Sequence, residues 1–350
     1  MKRLAEHRES EWNGSSAPAA DDQPASKDAT IIFHHIPKTA GSTLESILER
    51  RYAFREIFDV DRSRDVHERL LGSVPDETRA GIRLIKGHMD FGVHRFIANP
   101  YAYITILRHP VERVISHYYY VMRTAGHRLH YDVAFTGMSL EQYITSGITL
   151  ELNNGQVRSL VGPEHLGVEY GRCTREMLGT AQRNLTRHFS VVGLTERFDE
   201  TLLLLRRRLG WSAWPFYRPK NVSKARPLAA SIPREVIRLI EAHNELDLEL
   251  YEAAQAAFTE TIAGLELSEE LARFRRWNRV LGPCSATFDA FRTIRRRLVS
   301  DDEGALSLVR PGYAAQSVGS SGDSSQRRHS DPRALALRPS SSVEATNGKT

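Results

Sequence analysis

The stretch TIIFHHIPKTAGSTLESILERRY, residues 30–52, decides how the rest of the chain reads. Its opening TIIFHHI (30–36) is a short β-rich run. From Ser42 to Tyr52 the apolar residues Leu44, Ile47 and Leu48 fall at helical spacing. Between the two lies Pro37-Lys38-Thr39-Ala40-Gly41-Ser42-Thr43. Small residues let a backbone curl tightly and approach a ligand, and the first amides of the following helix point at whatever sits there. Lys38 adds a full positive charge, and Ser42 and Thr43 add hydroxyl donors. The turn reads either as a cradle for a phosphate-like group or as an ordinary strand–turn–helix that carries a lysine. It is not a Walker A loop, which needs G-x-x-x-x-G-K-[ST]; here Lys38 comes early and no upstream glycine is present.

Strand and helix signals keep alternating beyond this unit. IRLI (82–85) and YAYITIL (101–107) read as strands, the second apolar almost throughout, as a strand buried on both faces should be. Pro110 then opens a helix where its missing N–H costs nothing, with Val114, Ile115 and Tyr118 on one side. Helices follow at about 139–147, 174–188, 197–209 and 233–258, with FSVVGL (189–194) as a further strand. The pattern predicts an α/β fold with a parallel sheet flanked by helices. One domain is expected over 29–265, with a basic amphipathic helical extension at 266–300. Residues 1–28 are polar and patternless, and 301–350 contain ten serines, five glycines and three prolines. Both ends are therefore expected to be disordered.

Charge and composition narrow the function. The net charge is +5, but residues 271–298 hold eight arginines against Asp289 alone, which leaves 31–270 close to neutral. A duplex binder spreads basic charge over its folded face, so no nucleic-acid partner is expected. No apolar run approaches the ~20 residues of a membrane span. The N-terminal MKRLAEHRESEWNGSS lacks the apolar core of a secretory signal. Two cysteines, Cys173 and Cys284, exclude a disulfide framework or a cysteine-rich zinc site. The expectation is a cytoplasmic protein, with peripheral contact to an anionic membrane through 271–298 or that helix packed on the domain with its arginines solvated.

Two further stretches carry chemistry. In ILRHPVERVISHYYY (106–120), Arg108 stands at the end of a strand, where open α/β sheets bind ligands, and a guanidinium there can clamp a phosphate through two N–H groups. Without the first loop, Arg108 and Ser116 read as a surface arginine and a helix-packing serine. In LIKGHMD (84–90), His88 falls just beyond a strand, on the same sheet edge as Lys38 and Arg108. An imidazole with an ordinary pKa of ~6.5 suits a general base at neutral pH, although a lone histidine after a strand is more often a turn residue. His88, Asp90 and His94 fit no metal-ligand spacing, so no metal is expected.

At this point the sequence resembles a known family. His-Ile-Pro-Lys-Thr-Ala-Gly-Ser-Thr (35–43) is similar to the 5′-phosphosulfate loop of sulfotransferases that use 3′-phosphoadenosine 5′-phosphosulfate (PAPS). The resemblance is strongest to the carbohydrate branch that contains the heparan sulfate 2-O-sulfotransferases and bacterial relatives. Residues 106–120 resemble the family's 3′-phosphate motif, and VGLTERFDE (192–200) is a third similar stretch; together the likeness spans about 30–260. It implies the sulfotransferase fold and in-line sulfuryl transfer from PAPS to a hydroxyl of a carbohydrate or glycolipid. It assigns Pro37, Lys38, Thr39, Ala40, Gly41, Ser42 and Thr43 to the 5′ end of the donor, and Arg108 and Ser116 to the 3′-phosphate. Lys38 would also neutralise charge on the bridging oxygen. His88 matches the second histidine of a His-Gly-His stretch and would be the base; Lys86 replaces the first. YRPKNVSKAR (217–226) resembles a late segment that closes over the nucleotide, through Ser223 and Arg226. The run Asn153–Arg158 lines an acceptor groove or caps a helix, and loop 123–138, with His127, Arg128, His130 and Tyr131, meets an anionic or sugar acceptor or is merely solvated. The alternatives are a P-loop kinase-like phosphotransferase and an inactive nucleotide- or glycan-binding protein of the same fold. Oligomeric state is not legible.

Overall fold

Five strands build the framework of the computed structural model, which describes residues 28–60, 74–221 and 229–299. They are β1 (Thr30–His34), β2 (Ile57–Val60), β3 (Leu84–Gly87), β4 (Tyr101–Leu107) and β5 (Phe189–Leu194). All pair in parallel, in the order β2-β3-β1-β4-β5. Parallel neighbours need crossovers: α1 (Gly41–Glu49) lies between β1 and β2, α2 (Asp76–Ala80) between β2 and β3, and α3 (Pro110–Arg123), α4 (Leu140–Thr145), α5 (Gly155–Val161) and α6 (Arg175–His188) between β4 and β5; α7 (Phe198–Arg208), α8 (Arg234–His243), α9 (Glu245–Gly264) and α10 (Ser268–Val299) follow the last strand. The fold is the expected α/β parallel sheet flanked by helices. The expected arm and tail lie outside the described residues, Asp28 excepted, as do Ser223 and Arg226.

The strands are apolar on both faces because both are covered. Ile31 and Phe33 enter one core with Ala102, Ile104 and Ile106, under α1, α5, α6, α7 and α9. Ile32 and Tyr103 point the other way, to Phe58, Val60, Ile85 and Phe91. A third cluster joins α3, α4 and α8 through Val114, Ile115, Tyr143 and Ile240.

The strand order places the site. The chain leaves β1 toward β3 and β2, and leaves β4 toward β5, so the connections diverge between β1 and β4. That divergence opens a crevice at the carboxyl ends of these two strands, where such sheets take ligands.

Besides the short helices α2 and α5, which were not anticipated, two elements differ from the sequence expectation. Strand β2, Ile57-Phe58-Asp59-Val60, was not anticipated, because a four-residue run containing an aspartate carries little β signal. Asp59 is there for Lys86, whose Nζ sits 2.8 Å from Asp59 Oδ2 and 2.9 Å from Glu49 Oε1. Burial works against the Lys86 charge, but Glu45, Asp59 and Glu49 together outweigh it and raise the pKa. The single helix expected over 233–258 is two, broken at the buried Asn244. Its amide Nδ2 donates to Leu152 O and Ile240 O, while its Oδ1 accepts from Asn154 N–H.

That break creates a reciprocal cap. Asn154 Oδ1 accepts from the Leu246 and Asp247 N–H groups at the start of α9. Asp247 returns the arrangement, its two carboxylate oxygens accepting from Gln156 N–H and Val157 N–H at the start of α5. Orphan helix amides are thus satisfied in a fully buried place, where leaving them bare would cost about 1–3 kcal/mol each. The run Asn153–Arg158 is therefore, in its backbone and both asparagines, a joint between helices.

Candidate active site

The turn after β1 is held in a shape that ordinary residues adopt reluctantly. Lys38 and Ala40 have φ of +70° and +66°, and Thr39 between them does not. Left-handed backbone at a non-glycine residue costs about 1–3 kcal/mol, and it alternates here in the way that turns successive N–H groups to one side, as anion-binding loops do. Thr39 is fully buried and its hydroxyl donates to Ile36 O at 2.8 Å, so its side chain serves the turn itself. Ala40 begins α1 with no side-chain cap over the first amides. Ser42 and Pro37 are half-buried. Thr43 Oγ1 accepts from Lys220 N–H at 3.0 Å, which leaves its proton to donate and lays the 217–221 segment across the start of α1.

Gly41 is required by a neighbour. A Cβ there would stand 1.9 Å from His35 Cδ2. The His35 ring fills that space because its Nδ1 bonds Glu45 Oε1 at 2.9 Å, one turn into α1. Burial alone would raise the Glu45 pKa, but the His35 hydrogen bond and electrostatic attraction from the neighbouring His35, Lys86 and His88 side chains bring it down to about 2.

The His88 ring lies against that of His35, centroids 4.2 Å apart and planes tilted by 32°, and its Nδ1 lies 2.8 Å from His35 O. A carbonyl oxygen only accepts, so Nδ1 carries the proton. In the neutral ring the lone pair is then at Nε2. Lys86, one residue pair earlier on β3, turns away into its ion pairs with Asp59 and Glu49 and takes no part in this edge.

Arg108 stands at the end of β4, and its Nη1 donates to Lys38 O at 3.0 Å, so the turn and the arginine meet across the crevice. Its Nη2 is 3.5 Å from Glu112 Oε2. The backbone beneath is held on every side by distant side chains. Thr195 Oγ1 donates to Leu107 O. Gln156 Oε1 accepts from Arg108 N–H at 3.0 Å and Gln156 Nε2 donates to Arg108 O at 2.9 Å. Glu196 Oε1 accepts from His109 N–H, its other oxygen taking the Tyr251 hydroxyl. The 192–200 stretch and the 153–158 stretch thus converge on one three-residue turn.

Along α3, Glu112, Ser116 and Tyr120 share one face by spacing. The Lys38 Nζ lies 3.8 Å from the Tyr120 ring centroid, a cation–π contact, which turns that face toward the loop. Ser116 is half-buried on it. The His127 ring packs edge-on against Tyr120 and His117, so loop 123–138 adjoins the same edge. Arg128 Nη2 approaches Thr149 Oγ1 at 3.4 Å. The structure therefore gathers Lys38, Arg108, His88, Gly41 and Thr43 at one sheet edge. Sequence reasoning missed Glu45, Tyr120, Glu196 and the amide clamp of Gln156. Tyr120 could have been found from its four-residue spacing after Ser116; the others act through contacts between segments far apart in the chain. Among the described residues no group of three or more His, Cys, Asp or Glu side chains stands where it could share a metal ion.

Comparison with known proteins bears on this edge. The pattern of the galactose-3-O-sulfotransferase family matches residues 4–291. A heparan sulfate 2-O-sulfotransferase of Caenorhabditis elegans is 28% identical over 208 residues, 55% of this chain and 63% of that one. A galactose-3-O-sulfotransferase 3 of Bos taurus is 28% identical over 276 residues, 71% of this chain and 61% of that one. Human heparan-sulfate 6-O-sulfotransferase 1 is 29% identical over 181 residues, 45% and 43%. The chain thus spans 61–63% of the length of the first two relatives.

Proposed function

The chain belongs to the galactose-3-O-sulfotransferase family, and on that premise we propose that it transfers a sulfuryl group from PAPS to a hydroxyl of a carbohydrate acceptor. The observation that carries the reading is the meeting of the Lys38 turn with Arg108 at the β1–β4 divergence. Two cationic groups, a run of inward-turned amides and an uncapped helix start form a site suited to a ligand with anionic groups at two places. The donor brings an activated sulfuryl group on a phosphate leaving group.

Each residue has a task in this reading. The turn 37–43 receives the 5′ end through its amides and the Ser42 and Thr43 hydroxyls. Arg108, its backbone fixed by Gln156, Thr195 and Glu196, meets the 3′-phosphate with Ser116. His88 accepts the proton of the acceptor hydroxyl at Nε2, its tautomer set by His35 O. Lys38 swings from Tyr120 to neutralise the charge left on the departing oxygen. The acceptor approaches from the side of His88 and loop 123–138; a glycolipid headgroup fits the same description.

Incubation of the protein with radiolabelled PAPS and oligosaccharides ending in galactose or uronic acid tests the reading. Label should move to saccharide, and His88→Ala should slow the movement at least about 100-fold. Transfer to no hydroxyl acceptor, together with ATP-dependent phosphorylation of the same saccharides, would overturn it.

A further inference from the structure

The long helix α10 is fastened to the domain along one face. Phe274 is fully buried and stacks with Trp214 and Phe216. Asn278 Oδ1 accepts from Tyr217 N–H, and Gly282 lets the helix pass so close to Tyr217 O that a Cβ would be 2.5 Å away. Asp289 pairs with Arg50 at 2.8 Å and Lys220 at 3.0 Å. At 100° per residue, Phe274, Asn278, Gly282, Ser285 and Asp289 fall within about 80° of the helix circumference.

The neighbouring face is apolar and bare. Trp277, Val280, Leu281 and Phe288 are 47%, 62%, 38% and 68% exposed. With the exposed Cys284 they occupy a sector of about 100° that runs over three turns. Single exposed apolar residues are unremarkable, but a continuous stripe is not. Its border is basic: at the same 100° per residue the exposed Arg276 lies about 40° beyond its edge, and the exposed Arg273 stands one turn before Trp277. The only acidic residue from 271 to 298, Asp289, is spent on Arg50 and Lys220. The side chains of Phe291, Ile294 and Leu298 lie outside the described residues.

We propose that this face of α10 docks on an anionic lipid surface, with Trp277, Val280, Leu281 and Phe288 in the headgroup–acyl boundary and the arginines on lipid phosphates. Charge selects this occupant. A second copy would bring its own arginines against the first, whereas an anionic bilayer complements the border. The helix lies on the surface rather than through it, since no described helix is long and apolar enough to cross a membrane. Asp289 links the docked helix to Lys220, whose N–H rests on Thr43, so docking holds the catalytic edge at the surface.

Co-sedimentation of the full chain with vesicles tests this independently of sulfuryl transfer. The protein should pellet with phosphatidylcholine vesicles that contain phosphatidylglycerol, not with pure phosphatidylcholine, and rising salt should release it. The double variant Trp277→Ser, Phe288→Ser should lose at least about tenfold in partitioning while its thermal unfolding is unchanged, because both side chains are exposed. Arg276→Ala should weaken binding and flatten its salt dependence. Failure to pellet with anionic vesicles, or equal pelleting by the double variant, would overturn the proposal. So would light scattering that shows a dimer abolished by the double variant while vesicle binding is unaffected.

Discussion

His88 and Gly41 show how much of the site rests on single atoms. His88 has its Nδ1 proton committed to a backbone carbonyl, so only Nε2 is placed to take a proton from an acceptor. His88→Ala should therefore lower transfer by about 10²–10⁴ while leaving nucleotide affinity intact, measured by turnover and titration calorimetry side by side. A full-rate variant would show that the base is elsewhere. Gly41→Ala is the smallest change that should break the site. Its methyl would displace the His35 ring, and with it the Glu45 pairing and the contact with the His88 ring. A loss of about 1–3 kcal/mol, seen as a drop in Tm together with weakened donor binding, is expected; an unchanged melt would mean the ring moves at no cost. The placement of Lys38, Arg108 and His88 at strand ends was legible from sequence because each sits in a short contiguous motif. Glu45 was not, because its value lies in a ring folded back over a glycine.

At the scale of elements, the β4–α3 turn is the piece that the rest of the fold is arranged to hold. Gln156 reaches it from α5, Thr195 and Glu196 from beyond β5, and α5 is itself fixed by the exchange of caps with α9. Gln156→Leu keeps the volume and strips both hydrogen bonds from Arg108. It should raise the KM for donor several-fold with a smaller effect on kcat and no change in the pH profile, and Gln156→Glu, which can still accept from the N–H, should recover part of the loss. Equal kinetics for wild type and Gln156→Leu would show that the turn keeps its shape unaided. None of this cross-bracing is visible in linear order, since the partners are 48 to 93 residues apart. The strands β1, β4 and β5 were plain from their apolar runs. Strand β2 was hidden because its Asp59 answers a lysine on another strand. The break at Asn244 was hidden because Asn154 supplies the cap.

For the molecule as a whole, buried neutral histidines set the response to acid. Burial, then the neighbouring His35 charge, hold the pKa of His34 down to about 3. Burial, then His188 and Arg95, do the same to His94, also to about 3. The unfolded chain protonates both near pH 6.5 while the native state refuses the protons. Stability therefore falls as pH drops from about 6.5 toward 3, by up to about 1.4 kcal/mol per pH unit for each ring. Glu45 adds a later loss: its stabilisation is present above 4.5 and disappears as pH falls toward 2. His94→Leu should make the fall in Tm between pH 7 and 5 shallower than in wild type, whatever its Tm at pH 7; parallel curves would contradict this. The fold class and the position of the sheet edge were readable from the alternation of strand and helix, whereas the acceptor is set by loops whose sequence carries no code for it. The central claim is that this one edge grips both ends of a doubly anionic nucleotide, and titration calorimetry tests it most directly. 3′-Phosphoadenosine 5′-phosphate and adenosine 5′-phosphate are titrated into the wild type and into Arg108→Ala. The account predicts that the variant loses about 10- to 100-fold in affinity for the bisphosphate and little for the monophosphate; equal losses for both would contradict it.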